Sequence, residues 1–335
     1  MTYHLVYHCD SYPAIGLGHL ARGIGVLAAL RRRDQTWKLA ICGTFSPSAL
    51  VFLRKQAPAD VDILAADVNP LTRVAVLDTM ADAQYPERVD EARARDVAAQ
   101  ARRTVLISSS RSTQTYDCID VLIDHMPDVK LDGPVPSVVL SGFEYAPVAK
   151  EFVDLGHRQV STARLAAIVG GNDTPYGPRA FVKALSIWPS GYDGFDLVVS
   201  PHVPAGEVEA LKADFPAVSV HQFVPNLAPI VGRARAVVCT YGNATYESLS
   251  LHKATFLVAY KAFQDSYGAL LEDFGLVHRL GYFESLEPSK VIEALSDEVL
   301  LRRLSTNAAT VFVAPGIERI GAVLTQELQR VSDRE

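Results

Sequence analysis

The chain has no run of about eighteen apolar residues and no basic N-terminal segment leading through an apolar stretch to a small-residue cleavage site. That excludes a sequence-evident membrane span or signal peptide and gives the expectation of a soluble, cytoplasmic protein. It has only four cysteines, Cys9, Cys42, Cys118 and Cys239, with no C-x-x-C pair among them. They read as reduced thiols serving as small hydrophobes, not as disulfides or metal ligands, and a reducing compartment fits. No long block of one charge sign occurs. The net charge is −6, and the one basic cluster, Arg31 to Arg33, ends a helical pattern where cations suit the dipole, so nucleic acid is not an expected partner. Also missing are the G-x-x-x-x-G-K-[ST] phosphate loop, any convincing metal-ligand spacing, tandem repeats and low-complexity tracts. What is present is 335 residues, 49% hydrophobic and 21% charged, the profile of a globular chain of roughly two domains.

Short β-branched runs alternate with longer helix-period runs along the whole length, which predicts parallel sheets covered by helices, an α/β chain. Strands are expected at "YHLVYHC", "KLAICG", "DILAA", "RVAVLD", "TVLIS" and "DVLID" in the first half. In the second they are expected at "RLAAIVG", "DLVVS", "VSVHQF", "AVVCT" and "ATFLVAY". Helices are expected near His19–Arg33, Pro47–Gln56, Pro86–Arg102, Pro178–Ile187, Gly206–Asp214, Thr245–Leu251, Gln264–Phe274, Pro288–Leu295 and Gly316–Val331. Periodicity weakens between about Ala146 and Thr162. The expected organisation is therefore an N-terminal Rossmann-like domain over 1–155 and a C-terminal one over 156–335, both doubly wound and facing a cleft.

Gly16-Leu17-Gly18-His19-Leu20-Ala21 satisfies G-x-G-x-x-A. Five or six residues separate the first strand from Gly16, however, and the second strand ends "AICGTF" without an acidic residue, so a dinucleotide site does not follow. The glycines instead allow a sugar or phosphate to approach bare backbone. His19 then stands in the first turn of a helix, where the dipole favours a neutral imidazole, a base. Asp10 is the candidate to fix its tautomer, or is a turn-forming aspartate. In the second half, "AVVCTYGNATYESLSL" reads as strand, glycine loop and helix. The helix start at Gly242 and Asn243 could take a diphosphate and Glu247 ribose hydroxyls; an ordinary capped helix would also account for Glu247. "IVGGNDTPYG" places Gly170, Gly171, Asn172 and Asp173 after a strand, suited to a turn or to ligand approach.

"CDSYPAIGLGHLARGIGVLAALRRR" resembles the opening of the nucleotide-sugar hydrolases of pseudaminic acid biosynthesis, whose pattern runs close to D-A-S-x-x-I-G-x-G-H-x-x-R. Here Asp10, Ser11, Ile15, Gly16, Gly18, His19 and Arg22 match it. "GFEYAPVAKEF", "VGGND" and "YGNATYESLSL" are similar to later segments of the same family, in the same order, and Gln264 falls where the family carries a glutamine. The resemblance implies a two-domain fold of the GT-B glycosyltransferase type, with His19 activating water and Gly242, Thr245 and Glu247 holding the nucleotide. It also implies a stacking role for Tyr246, where the family has tryptophan, although a core position suits it equally, and sugar contacts for Gln264. The chain departs from the family where "VLDTMAD" has Asp78, Thr79 and Met80 in place of an aromatic, where Ser108 to Ser110 replace an acidic pair, and where Ala149 replaces an arginine.

The expected function is hydrolysis of a nucleotide-activated, UDP-type amino- or deoxy-sugar to free sugar and nucleoside diphosphate, with His19 as general base and without metal or cofactor. The alternatives are a GT-B glycosyltransferase moving the sugar to an acceptor hydroxyl, and a non-catalytic nucleotide-sugar binding protein. His125 and His202 are expected at the surface; Tyr176 and Arg179 are further candidates for phosphate contact. The sugar, the base of the nucleotide and the oligomeric state are left open.

Overall fold

The computed structural model describes the chain apart from Met1, Ala14, 79–88, Arg111, Lys150, 153–154, 156–162, 169–177, 180–181, 184–190, His202, Phe223, Pro225 and 333–335. Its residues form two compact units, Met1–Ala149 with Pro315–Glu335, and Lys150–Ala314.

In the first unit β1 (Tyr3–His8), α1 (Gly18–Arg33), β2 (Leu39–Gly43), α2 (Pro47–Gln56), β3 (Asp62–Ala65), β4 (Thr72–Leu77), α3 (Glu91–Ala98), β5 (Ala101–Ser108), β6 (Ser112–Gln114), β7 (Val121–Asp124), β8 (Lys130–Asp132) and β9 (Val138–Ser141) follow in sequence. Seven of the strands make one parallel sheet in the order β3-β2-β1-β4-β5-β7-β9, while β6 and β8 pair separately. The central strands are continuous apolar runs because helices cover both faces of a parallel sheet; Leu5, Val6, Val74, Ala75, Val76 and Leu77 are all fully buried. Chain order reverses between β1 and β4. Their carboxyl ends therefore flank the crevice in which such sheets bind ligands.

The second unit repeats the plan with β10 (Arg164–Ile168), β11 (Gly194–Val199), α4 (Ala205–Asp214), β12 (Val218–Gln222), α5 (Ala228–Arg233), β13 (Ala234–Cys239), α6 (Asn243–Ser250), β14 (Ala254–Ala259), α7 (Ala262–Asp273), β15 (Val277–Tyr282), α8 (Pro288–Ser296) and α9 (Glu298–Val311). Its sheet is parallel in the order β12-β11-β10-β13-β14-β15, so its reversal lies between β10 and β13.

The expected boundary of 156–335 is corrected at its far end. The last helix, α10 (Gly316–Ser332), leaves the second unit and completes the core of the first, where Ile320, Leu324 and Leu328 join Leu27, Leu30 and Val76. Glycine makes this packing close. A Cβ on Gly25 would lie 2.4 Å from Ile317, and one on Gly321 3.2 Å from Ala29. Arg32 and Arg33 of α1 meet Glu318 at its start. The segment Glu298–Ser332 is apolar and long enough to pass as a membrane span by composition. It is broken at residues 312–315 into α9 and α10, which belong to different units.

All four cysteines are free thiols; Cys9, Cys42 and Cys239 are buried.

Candidate functional site

The segment after β1 is held against the extension of β2. Ser11 donates its backbone N–H to Thr44 and accepts from Ser46, both at 2.9 Å, and its hydroxyl donates to the Gly16 carbonyl at 2.8 Å. Gly16 turns with φ +82°, a conformation that favours glycine. α1 then begins at Gly18, which puts His19 in its first turn and Arg22 one turn further on the same face. Both side chains reach Asp78, the residue after β4, whose own N–H is fixed to the His8 carbonyl at 2.9 Å. The pattern of two glycines and a histidine thus lies at the strand-order reversal of the first sheet.

His19 Nδ1 is 2.8 Å from Asp78 Oδ1. Arg22 Nε donates to Oδ2 at 2.6 Å and Nη2 donates to Oδ1; the Tyr7 hydroxyl donates to Oδ2 at 2.5 Å. Asp78 and Arg22 are 1% and 4% exposed, whereas His19 keeps 15% of its side chain in contact with solvent. Burial pushes the Asp78 carboxyl up, but the charges of Arg22 and His19 and their hydrogen bonds outweigh it, and the carboxyl is held below its ordinary value. Tyr7 moves the other way: burial and then the Asp78 charge raise its phenol well above the usual range, so it serves as a donor. An anionic carboxylate only accepts, which assigns the proton of the 2.8 Å contact to Nδ1, so that whenever the ring is neutral its lone pair is on Nε2. A neutral imidazole oriented in this way by an aspartate can take up a proton at Nε2.

Asp10 is not this partner. Its Oδ1 accepts from the Thr44 N–H at 2.8 Å and its Oδ2 from Arg93 at 2.6 Å, so it is engaged in closing the loop. His125, expected at the surface, is buried at 2% exposure, and burial followed by the charge of Arg22 lowers its pKa to about 3. The serines that replace an acidic pair also turn inward. Ser108 pairs with Thr113, which donates at 2.9 Å to the fully buried Asp124, and Met126 N–H donates to the same carboxyl at 2.8 Å. Burial raises Asp124 to about 6 against these bonds.

In the second unit the loop between β13 and α6 again lies at the strand-order reversal. Gly242 has φ +158°, and a Cβ built on it would meet nothing within 4 Å, so the space before the loop is open. Asn243 opens α6. Two expected ligand residues serve the loop itself. Thr245 is fully buried; its hydroxyl accepts from Gly242 N–H and donates to the Thr240 carbonyl, both at 3.3 Å, capping the helix. Tyr246 is 1% exposed, with its hydroxyl 3.1 Å from that of Tyr241 and its ring against Phe312, and is therefore a core residue instead of a stacking platform. Glu247 is half-buried, and burial followed by the charge of Glu151 raises its carboxyl to about 7. Gln264 is buried too. Its amide oxygen accepts from the N–H groups of Tyr260 at 3.0 Å and Lys261 at 3.3 Å, capping α7.

Gly170, Gly171, Asn172, Asp173, Tyr176, His202, Thr79 and Met80 lie outside the described residues. Arg179 is half-buried and paired with Asp214. Among the described residues no group of three or more His, Cys, Asp or Glu is arranged to hold a metal ion.

Solved structures match the chain over nearly its whole length. The calicheamicin glycosyltransferase CalG4 superposes with a TM-score of 0.62 at 14% identity, covering 99% of each chain. This is the GT-B fold. A UDP-glucose:anthocyanidin 3-O-glucosyltransferase in complex with UDP gives 0.59 at 10% identity, over 98% of this chain and 99% of that one. MurG of Acinetobacter baumannii gives 0.58 at 12% identity, over 96% and 99%. No protein-family model and no curated sequence matches. At such identities the likeness is one of fold: the strand patterns predict its two Rossmann-like units, and the GT-B type is what the resemblance implies.

Proposed function

We propose that this chain is a glycosyltransferase that moves a sugar from a nucleoside-diphosphate donor, of the UDP class, to an acceptor hydroxyl. The observation that carries the proposal is the His19–Asp78 pair at the strand-order reversal of the first sheet. His19 Nε2 takes the acceptor proton as the oxygen attacks the anomeric carbon and the bond from that carbon to the diphosphate oxygen breaks, releasing the nucleoside diphosphate with the electron pair; Asp78 stabilises the imidazolium that forms. The nucleotide belongs to the second unit. The open backbone at Gly242 and the positive end of α6 at Asn243 suit a diphosphate, and Glu247 suits ribose hydroxyls. Support comes also from the GT-B neighbours, one of them described as a complex with UDP.

A second reading keeps the same donor and replaces the acceptor by water; the "IGLGHLAR" resemblance favours it. The two separate cleanly. Incubation with UDP-sugars alone yields stoichiometric free sugar if water is the acceptor, whereas turnover that requires an added acceptor supports transfer. In either case His19→Ala is expected to lower kcat by about a hundred- to ten-thousand-fold while nucleotide affinity, read by calorimetry, stays unchanged. Full turnover by the variant removes His19 from the mechanism.

A further inference from the structure

Asp78 is held far more tightly than a tautomer-fixing carboxylate needs. We infer that Arg22 is a positioning residue for His19, acting through Asp78, with Tyr7 as its counter-anchor; the inference rests on the reading of His19 as the base. Arg22 occupies both carboxylate oxygens from α1, through Nε on Oδ2 and Nη2 on Oδ1, while Tyr7 meets Oδ2 from β1 at 2.5 Å. A planar fork on a planar carboxylate fixes the carboxylate plane, not merely its location. That plane sets where the Oδ1 lone pair points, and hence the orientation of the imidazole whose Nδ1 lies 2.8 Å away. Arg22 Nη2 is itself 3.1 Å from Nδ1. Guanidinium and protonated ring nitrogen are both donors, so this proximity follows from sharing one oxygen.

Stability alone does not account for the arrangement. A guanidinium at 4% exposure and a carboxylate at 1% both lose their hydration, and a well-packed apolar pair in such a place is often as stable or more so. Geometry also ties the second anchor to the same helix. A Cβ on Gly23 would stand 2.8 Å from the Tyr7 ring, so this glycine lets α1 lie directly on the tyrosine that holds Oδ2. Base, fork and phenol are thus fixed relative to one another by one helix packed on two neighbouring strands.

The test compares Arg22→Met, Arg22→Lys and Tyr7→Phe with the parent, alone and combined with Asp78→Asn. Positioning predicts that Arg22→Met lowers kcat by about a hundredfold with the donor KM within about twofold, the scale set by a misplacement of about 1 Å. Arg22→Lys, which keeps the charge and loses the fork, recovers thermal stability but not kcat, and Tyr7→Phe shows a smaller loss of the same kind. In the Asp78→Asn background the Arg22→Met change adds little further loss, because its route to His19 is already cut. The imidazole N–H resonance at low field, absent in His19→Ala, is lost or displaced in Arg22→Met. An unchanged kcat, a loss that multiplies fully with that of Asp78→Asn, recovery of kcat by lysine, or an unmoved resonance would each overturn the inference. The resonance is read without substrate, so it decides the positioning role even if the chain turns over no nucleotide sugar.

Discussion

Replacing Asp78 by asparagine removes the anion and keeps the shape. Arg22 then stays buried with a neutral partner that offers one acceptor in place of two charged ones. Breaking a buried pair by removing one member costs about 3–5 kcal/mol. For a domain of this size each kcal/mol moves the midpoint by about 2–4 °C, so the first unit is expected to melt about 6–20 °C lower. The pH dependence has a definite sign. Because the carboxyl is held below its ordinary value of 3.8 in the folded chain, its contribution is complete at neutral pH and is lost as pH falls through the folded value. The gap between parent and Asp78→Asn should thus be full at pH 7 and close below about pH 4. The double variant Arg22→Met with Asp78→Leu removes both charges and is expected to be more stable than Asp78→Asn alone. Thermal unfolding followed by circular dichroism at several pH values reads all three. An Asp78→Asn protein within 1 kcal/mol of the parent at pH 7, or a gap that widens on acidification, refutes the reasoning.

Other expectations follow from particular contacts. Gly23→Ala pushes a methyl into the Tyr7 ring and is expected to cost about 1–3 kcal/mol as overpacking, with a fall in kcat measured beside the melting curve. Glu247 has a raised pKa of about 7, so the folded chain binds that proton more tightly than the unfolded one and parent stability falls as pH rises from about 4.5 to about 7. Glu247→Gln should flatten this slope in a melting series across the same window. Leu324→Ala, a cavity in the core of the first unit, is expected to cost about 2–5 kcal/mol by denaturant titration.

The central strands were legible because burial on both faces leaves nearly uninterrupted apolar runs. Of the edge strands, β3 and β12 were legible and two were not: β15, "VHRLGY", carries His278, Arg279 and Gly281, and β9 is four partly exposed residues. α9 went unread although Asp297 caps it, with its side chain accepting from the Val299 and Leu300 N–H groups. At the site, the glycines and His19 announced themselves locally, but the partner of His19 stands 59 residues away and only the strand order brings it there. Asp78 did carry a signal, an aspartate closing an apolar strand, and Asp10 carried the same one. Thr245 and Gln264 show a different limit. A hydroxyl or amide that caps a helix uses the same atoms a ligand would, so residue type and position cannot separate the two roles.

The return of α10 makes the second unit an insertion within the first. Two chain crossings join them, near residues 149–150 and 314–315, in place of a single tether. During synthesis the unit begun first is therefore the last to be finished. Its sheet emerges early, yet the surface awaiting Ile320, Leu324 and Leu328 stays uncovered until the intervening unit has been made.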